Sequence, residues 1–357
     1  MQAARDLNKL GLSRMMIGIL AFLFSLFLSP VRSHANPYLA RAGERPLSLR
    51  IATCAVSGGF VHLYTALDNG LFDKYGLKLE HIYIRGSGPA LAALSADEIQ
   101  FVYCAADGTI PGLATGIDGK LVASPLVKLP YVLVARKEIK RPEDLKGKSI
   151  GVTRPGDLSA RLSRAVIRKF GFTTDEVTMR PIGGSQGERY QAMASNVVQA
   201  IVITPPLDVR AKNDGFNVLY RLVELDLPFI YSSLHTNYKM LRDRPAIVQR
   251  AVAAFAEAVH FVEKNPDKAK AAISRAMRVK DEEALQSSYN VYAKEIVDRS
   301  MLVPGKAVTE AVELARESGT SVRKTAEEFY DNSFAINLER SGFLKELWGS
   351  EVYKRAP

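Results

Sequence analysis

The sequence predicts an α/β protein built from two similar units that face each other across a shared cleft. Three observations carry this expectation. Apolar, strand-like runs repeatedly end in short Gly- and Ser-containing turns that open into helices. After a polar stretch at 140–148 the same pattern starts again. Two further extended runs, near 128–136 and 226–235, are placed to carry the chain from one unit to the other and back. Strands alternating with helices imply parallel sheets. The ligands of such sheets lie beyond the carboxyl ends of the strands.

The chain has 357 residues, 47% of them hydrophobic, and a formal net charge of +10. That length accommodates two modest domains at ~100–200 residues each. Removing residues 1–35, which carry Arg5, Lys9, Arg14 and Arg32 against Asp6, leaves about +7. Lys and Arg are scattered among Asp and Glu, so a nucleic-acid partner is not expected. A preference for anionic ligands fits this mild basicity.

Residues 1–35 read as a secretory signal peptide. Arg5, Lys9 and Arg14 form a basic start, Met15 to Leu28 carries no charge, and Ser33-His34-Ala35 presents small residues for cleavage after Ala35. The uncharged run is short for a membrane span of ~20 residues. No cysteine near the cleavage point offers a lipid anchor. The mature protein is therefore expected to be soluble and exported. The two cysteines, Cys54 and Cys104, fall near the ends of two expected strands. A bridge is conceivable in an exported protein. Adjacent parallel strands rarely give disulfide geometry, so buried free thiols are expected. Two cysteines without helpful His spacing make no metal site.

In chain order, Leu47 to Val56 is a strand, Ser57-Gly58-Gly59 a turn, and Phe60 to Leu67 a helix closed by Gly70. Leu77 to Ile84 alternates as a strand does. Gly86-Ser87-Gly88 follows, with Pro89 suited to the first helical position and an Ala/Leu helix behind it. Ile99 to Cys104 is a third strand, turning at 105–109 into a short helix. Tyr131 to Ala135 is extended. Ser149 to Val152 restarts the pattern, with a turn at 153–157 and a helix from Leu158 to Phe170. Val177 to Ile182, the turn 183–187, and Ala200 to Thr204 complete the second unit. From Pro245 onwards the chain reads as helices at 245–264, 267–277, 281–299 and 306–317, then short helices to the end.

Several of these phrases together resemble the substrate-binding proteins of ABC importers. The resemblance is to the nitrate/sulfonate/taurine group, SsuA/THI5-like or NMT1-type, which also holds binders of a thiamine pyrimidine precursor. They are Asp68-Asn69-Gly70-Leu71-Phe72-Asp73-Lys74-Tyr75-Gly76-Leu77, Gly86-Ser87-Gly88-Pro89-Ala90 and Tyr131-Val132-Leu133-Val134-Ala135-Arg136. Asp144 to Gly156 and Glu263-Lys264-Asn265-Pro266 complete the set, in family order over about 47–300. The resemblance implies a type II periplasmic-binding fold: two α/β lobes, two crossing strands, and a ligand between them delivered to an inner-membrane permease. The expected layout is signal peptide 1–35, first part of lobe 1 at 47–133, lobe 2 at 134–228, the helical second part of lobe 1 at 229–320, and a helical extension at 321–357. A monomer that binds a small, anionic organic solute without a cofactor or metal is expected. A ligand-sensing partner of a receptor would share the same fold. Pyrimidine synthases of the superfamily use a cysteine-rich iron-binding motif, which is absent here, so no enzyme activity is expected.

Helix N-termini and hydroxyls suit an anionic head. Candidate contacts from the first lobe are Ser57, Gly58, Gly59, Phe60, Ser87, Gly88 and Asp107. Those from the second are Thr153, Arg154, Gly156, Asp157, Gly184 and Ser185. Plain turn geometry is the competing account of the glycines. Arg154 is placed to clamp a carboxylate or sulfonate, or to sit solvated. Asp107 and Asp157 compete as helix caps. Phe60, Tyr64, Tyr103 and Tyr131 offer rings for stacking or for the core. His62 reads as structural, and Thr204-Pro205-Pro206 as a stiff cleft edge.

Overall fold

The computed structural model describes residues 36–155, 157–183 and 185–349. The expected signal peptide and two candidate glycines, Gly156 and Gly184, lie outside the described residues. The chain runs β1 (Leu47–Thr53), α1 (Val61–Asp68), β2 (Leu77–Tyr83), α2 (Ser87–Ser95), β3 (Phe101–Cys104), α3 (Ala106–Ala114) and β4 (Lys120–Leu126). It continues through β5 (Val132–Ala135), β6 (Ser149–Val152), α4 (Leu158–Lys169), β7 (Thr178–Pro181), α5 (Gln186–Ala194), β8 (Ala200–Ile203), α6 (Leu207–Asn213) and β9 (Asn217–Arg221). Then come β10 (Ser232–Thr236), α7 (Tyr238–Asp243), α8 (Pro245–Lys264), α9 (Pro266–Met277), α10 (Glu282–Asn290), α11 (Gly305–Glu317), α12 (Ser333–Arg340) and α13 (Phe343–Trp348).

Two five-stranded sheets form, ordered β2-β1-β3-β10-β4 and β7-β6-β8-β5-β9. They share one plan. Three parallel strands lead, an antiparallel strand is inserted, and an edge strand runs antiparallel to the insert. Each inserted strand, β5 or β10, is the one that has just crossed from the other sheet. The sheets are therefore mixed, which corrects the expectation of parallel sheets. A crossing strand enters its sheet from the neighbouring lobe rather than through a βα crossover. It can therefore pair antiparallel with no covering helix between it and its neighbour.

Side chains alternate across each sheet, so one strand feeds two cores. On β3, Phe101 and Tyr103 join Leu63, Phe255 and Val259 under α1 and α8. Val102 and Cys104 point the other way, to Leu91, Ile110 and Val308 of α2, α3 and α11. On β8, Ala200 and Val202 meet Leu162, Val166 and Ile167 of α4, while Ile201 and Ile203 meet Tyr190 and Met193 of α5. Each lobe is thus helix, sheet, helix.

Three local expectations need correcting. Helix α2 begins at Ser87, not Pro89, because Gly86 takes φ +94° as its cap and frees the next residue to turn. The helix expected over 281–299 stops at Asn290 and gives way to a π-helical turn at Val291–Glu295. Cys54 and Cys104 are joined in a disulfide. Strands β1 and β3 are paired with Thr53 opposite Tyr103. The next residues therefore stand side by side, with Cα atoms 5.8 Å apart, within disulfide reach.

Two buried histidines give the fold a signed pH dependence. Neither ring nitrogen of His62 has a partner, and burial pulls its imidazole down to about 3. His235 reaches the Val102 and Ser233 carbonyls and Thr109, yet burial outweighs them and holds it at about 4. The unfolded chain, with histidines near 6.5, binds protons that the folded chain refuses. Stability contributed by neutral His62 is full above about pH 6.5 and is lost as pH falls towards 3. His62→Phe should therefore lose less melting temperature than the wild type between pH 7 and 5. Parallel melting curves across that range would refute this assignment.

Candidate functional site

The strand ends and helix starts converge on one cavity of about 430 Å³ between the lobes. From the first lobe, Cys54 to Ser57, Phe60, Ala105 and Asp107 line it. From the second lobe come Ser185, Gln186, Gly187 and Thr204 to Leu207. Tyr131 and Tyr231, one from each crossing, lie at its base, and Met277 closes one side.

Three helix N-termini reach this space. Ser57 caps the Gly58–Phe60 turn that leads into α1, its Oγ accepting the Gly59 N–H at 3.1 Å. Ala105 precedes α3. Ser185 caps α5, accepting the Glu188 N–H at 3.3 Å while the Glu188 carboxylate takes the Ser185 N–H. Gln186 then ties that end to β8, because its Oε1 accepts the Thr204 N–H at 2.8 Å. These partial positive charges all face one volume. The rings add an aromatic corner: Tyr131 and Tyr231 meet edge to face at 6.2 Å.

Asp107 is the one charged side chain among the described lining residues. It sits in the first turn of α3 behind Ala105 and does not occupy the cap position. Burial pushes its carboxyl up, and Arg161 of α4 opposes that push. A carboxyl in such a place either takes a hydrogen bond from an N–H donor or donates one when protonated.

Of the candidates read from the sequence, Ser57, Phe60, Asp107 and Ser185 share this cavity. Gly58 and Gly59 sit just behind it for a packing reason. A Cβ on Gly58 would stand 2.6 Å from the Tyr292 ring, and one on Gly59 only 2.2 Å from Tyr231 Cε1. Ser87 and Gly88 are outside the lining, and the Ser87 hydroxyl fills the space above Gly108. Thr153, Arg154 and Asp157 are outside it too. Thr153 Oγ1 accepts from buried Arg189 at 2.7 Å. Exposed Arg154 pairs with Asp157 at 3.3 Å, and the Asp157 side chain leaves α4 uncapped. Tyr64 and Tyr103 belong to the core, whereas Tyr131 reaches the cavity.

Gln186, Tyr231 and Met277 line the cavity without having been singled out, and Thr204-Pro205-Pro206 lines it although read as an edge. Residues 204–206 follow a strand carboxyl end just as 54–57 and 105–107 do, so that signal was present. Met277 ends α9, far away in sequence, and no local pattern marks it. A larger cavity, about 830 Å³, lies between α6 and α10 and shares only Tyr131 and Pro205 with the first. Its walls are occupied by Lys212–Glu283 at 3.1 Å, Arg221–Glu295, and Ser287 donating to Asp208 at 3.0 Å. It collects no strand carboxyl ends from the first lobe, so the smaller cavity is the candidate site.

Two α/β lobes of matching topology, two crossings and a cleft at the strand ends define a type II periplasmic-binding fold. The solved periplasmic aliphatic sulphonate binding protein SsuA of Escherichia coli superposes with a TM-score of 0.66 at 18% identity, covering 80% of this chain and 92% of that one. The chain belongs to the NMT1/THI5-like family, whose model matches residues 58–269. The alkanesulfonate-binding protein SsuA of Xanthomonas axonopodis pv. citri, solved bound to MOPS, gives a TM-score of 0.64 at 15% identity over 81% of this chain and 99% of that one. A chain of Brachyspira hyodysenteriae, provisionally named an ABC transporter periplasmic binding protein, is 24% identical over 265 residues, 70% of this chain and 74% of its own. Among the described residues no helix is long and apolar enough to cross a membrane.

Proposed function

We propose that the chain is the exported, periplasmic solute-binding protein of an ABC importer, and that it captures a small organic anion carrying a ring or compact apolar body without altering it. The observation that carries this is the convergence of three helix N-termini and the tyrosines of both crossings on one cavity. The dipoles would receive a sulfonate or carboxylate, and the rings would cover the rest of the solute. The SsuA likeness and the Brachyspira relative support import over sensing. Capture as a monomer and hand-over to an inner-membrane permease complete the reading.

A second reading, a pyrimidine precursor of thiamine, is favoured by Asp107. A carboxyl beside aromatic walls suits an aminopyrimidine edge. Calorimetric titration of the purified protein with taurine, alkanesulfonates, MOPS, nitrate, aromatic carboxylates and aminopyrimidines separates the two. Binding of a sulfonate or carboxylate, weakened at least tenfold by Ser185→Asp, is the expected result. Binding of aminopyrimidines alone, lost in Asp107→Asn, would transfer the assignment to the second reading. Exclusive binding of simple cations would end the first.

A further inference from the structure

We infer that Tyr292 is a positioning residue that couples the solute cavity to the seating of one lobe on the other. It stands on the π-helical turn Val291–Glu295, wholly buried and outside the lining of the cavity. Its ring stacks on Tyr231 with centroids 5.6 Å apart and planes 26° from parallel. Its hydroxyl donates to the Pro205 carbonyl at 3.2 Å, at the carboxyl end of β8 in the second lobe. The Tyr231 hydroxyl lies 3.4 Å from that of Tyr292 and 3.0 Å from Ser57 Oγ in the first lobe. One hydroxyl chain thus runs from lobe to crossing to lobe beneath the cavity.

Proton counting sets its direction. Each hydroxyl owns one hydrogen. Tyr292 gives its hydrogen to Pro205, so it accepts from Tyr231, and Tyr231 in turn accepts from Ser57. Three of the four members, Ser57, Tyr231 and Pro205, also line the cavity. Anything that moves them there reaches Tyr292, and Tyr292 holds the second lobe through Pro205. The side chain is held against the backbone of the first lobe because Gly58 has no Cβ. Tyr292 stands on this π-helical turn, closed by the Ile296 N–H donating to the Val291 carbonyl, and meets Tyr231 of the crossing from there.

The test needs no solute, so it stands apart from the proposed solute class. Tyr292→Phe keeps the ring and its packing and deletes only the hydroxyl. Spin labels at the exposed positions Lys78→Cys on β2 and Thr178→Cys on β7, with the native disulfide intact, report the lobe-to-lobe distance in the ligand-free protein. The expected result is that Tyr292→Phe raises the proportion of long distances about fivefold, the effect of one neutral hydrogen bond. Tyr231→Phe, which cuts the chain one link earlier, should shift the distribution the same way. A purely structural tyrosine would lower the melting temperature and leave the distances alone. Distance distributions unchanged from wild type in either folded variant would overturn the inference.

Discussion

Replacing Cys54 and Cys104 together by alanine is expected to destabilise the fold by about 4 kcal/mol. The bridge closes a loop with a sequence separation of 50 residues, and the chain-entropy relation assigns a loop of that length about 4 kcal/mol at 25 °C. For a protein of this size the melting temperature should fall by roughly 6 °C. The loss should also reach the site. Cys54 lines the cavity, and the two cysteines immediately precede the segments that bring Ser57 and Asp107 to it. Melting followed by circular dichroism, with and without reductant, measures the effect. Reduced wild type and the double variant should melt together, well below the oxidised protein. Coincident melting of all three would remove the bridge from the account of stability.

The second large effect is expected from Gly59→Ala. Both neighbouring glycines are buried, and their φ angles are not in the left-handed region, so the reason for glycine here is space. An added methyl would drive the Tyr231 ring out of its stack on Tyr292 and away from Ser57. Overpacking of this kind costs about 1–3 kcal/mol. Because Tyr231 lines the cavity, affinity for the solute found by titration should fall at least tenfold. The two losses should shrink when Gly59→Ala is placed in a Tyr231→Leu background, which makes room for the methyl. Equal costs in both backgrounds would mean that Tyr231 is not what the glycine accommodates.

The expectation of two α/β units around one cleft rests on local chemistry. Periodic apolar residues, glycine at helix ends and serine before helix starts act within a few residues of themselves. Leu158 to Phe170 reads as a helix because its apolar residues fall on one face, and Leu162, Val166 and Ile167 are buried on that face. Ser57 and Ser185 read as turn residues ahead of helices and as candidate contacts, and both reach the cavity. Edge strands β4 and β9 are less distinct in the sequence. Ser124-Pro125 interrupts the first, and each needs its inserted neighbour to become a strand.

What the chain alone could establish was the kind of element, the doubling of the unit and the chemistry of its turns. Which turns share a cavity was decided by the crossings, because β5 and β10 enter each sheet antiparallel and set how the lobes face. Ser57 meets Tyr231 at a separation of 174 residues, and Tyr231 meets Tyr292 at 61. No local pattern encodes such meetings; they arise from sheet register and from one π-helical turn. The same holds for Ser87 and Ser57, which follow strands in similar turns. One covers a glycine and the other lines the cavity, and only packing separates them.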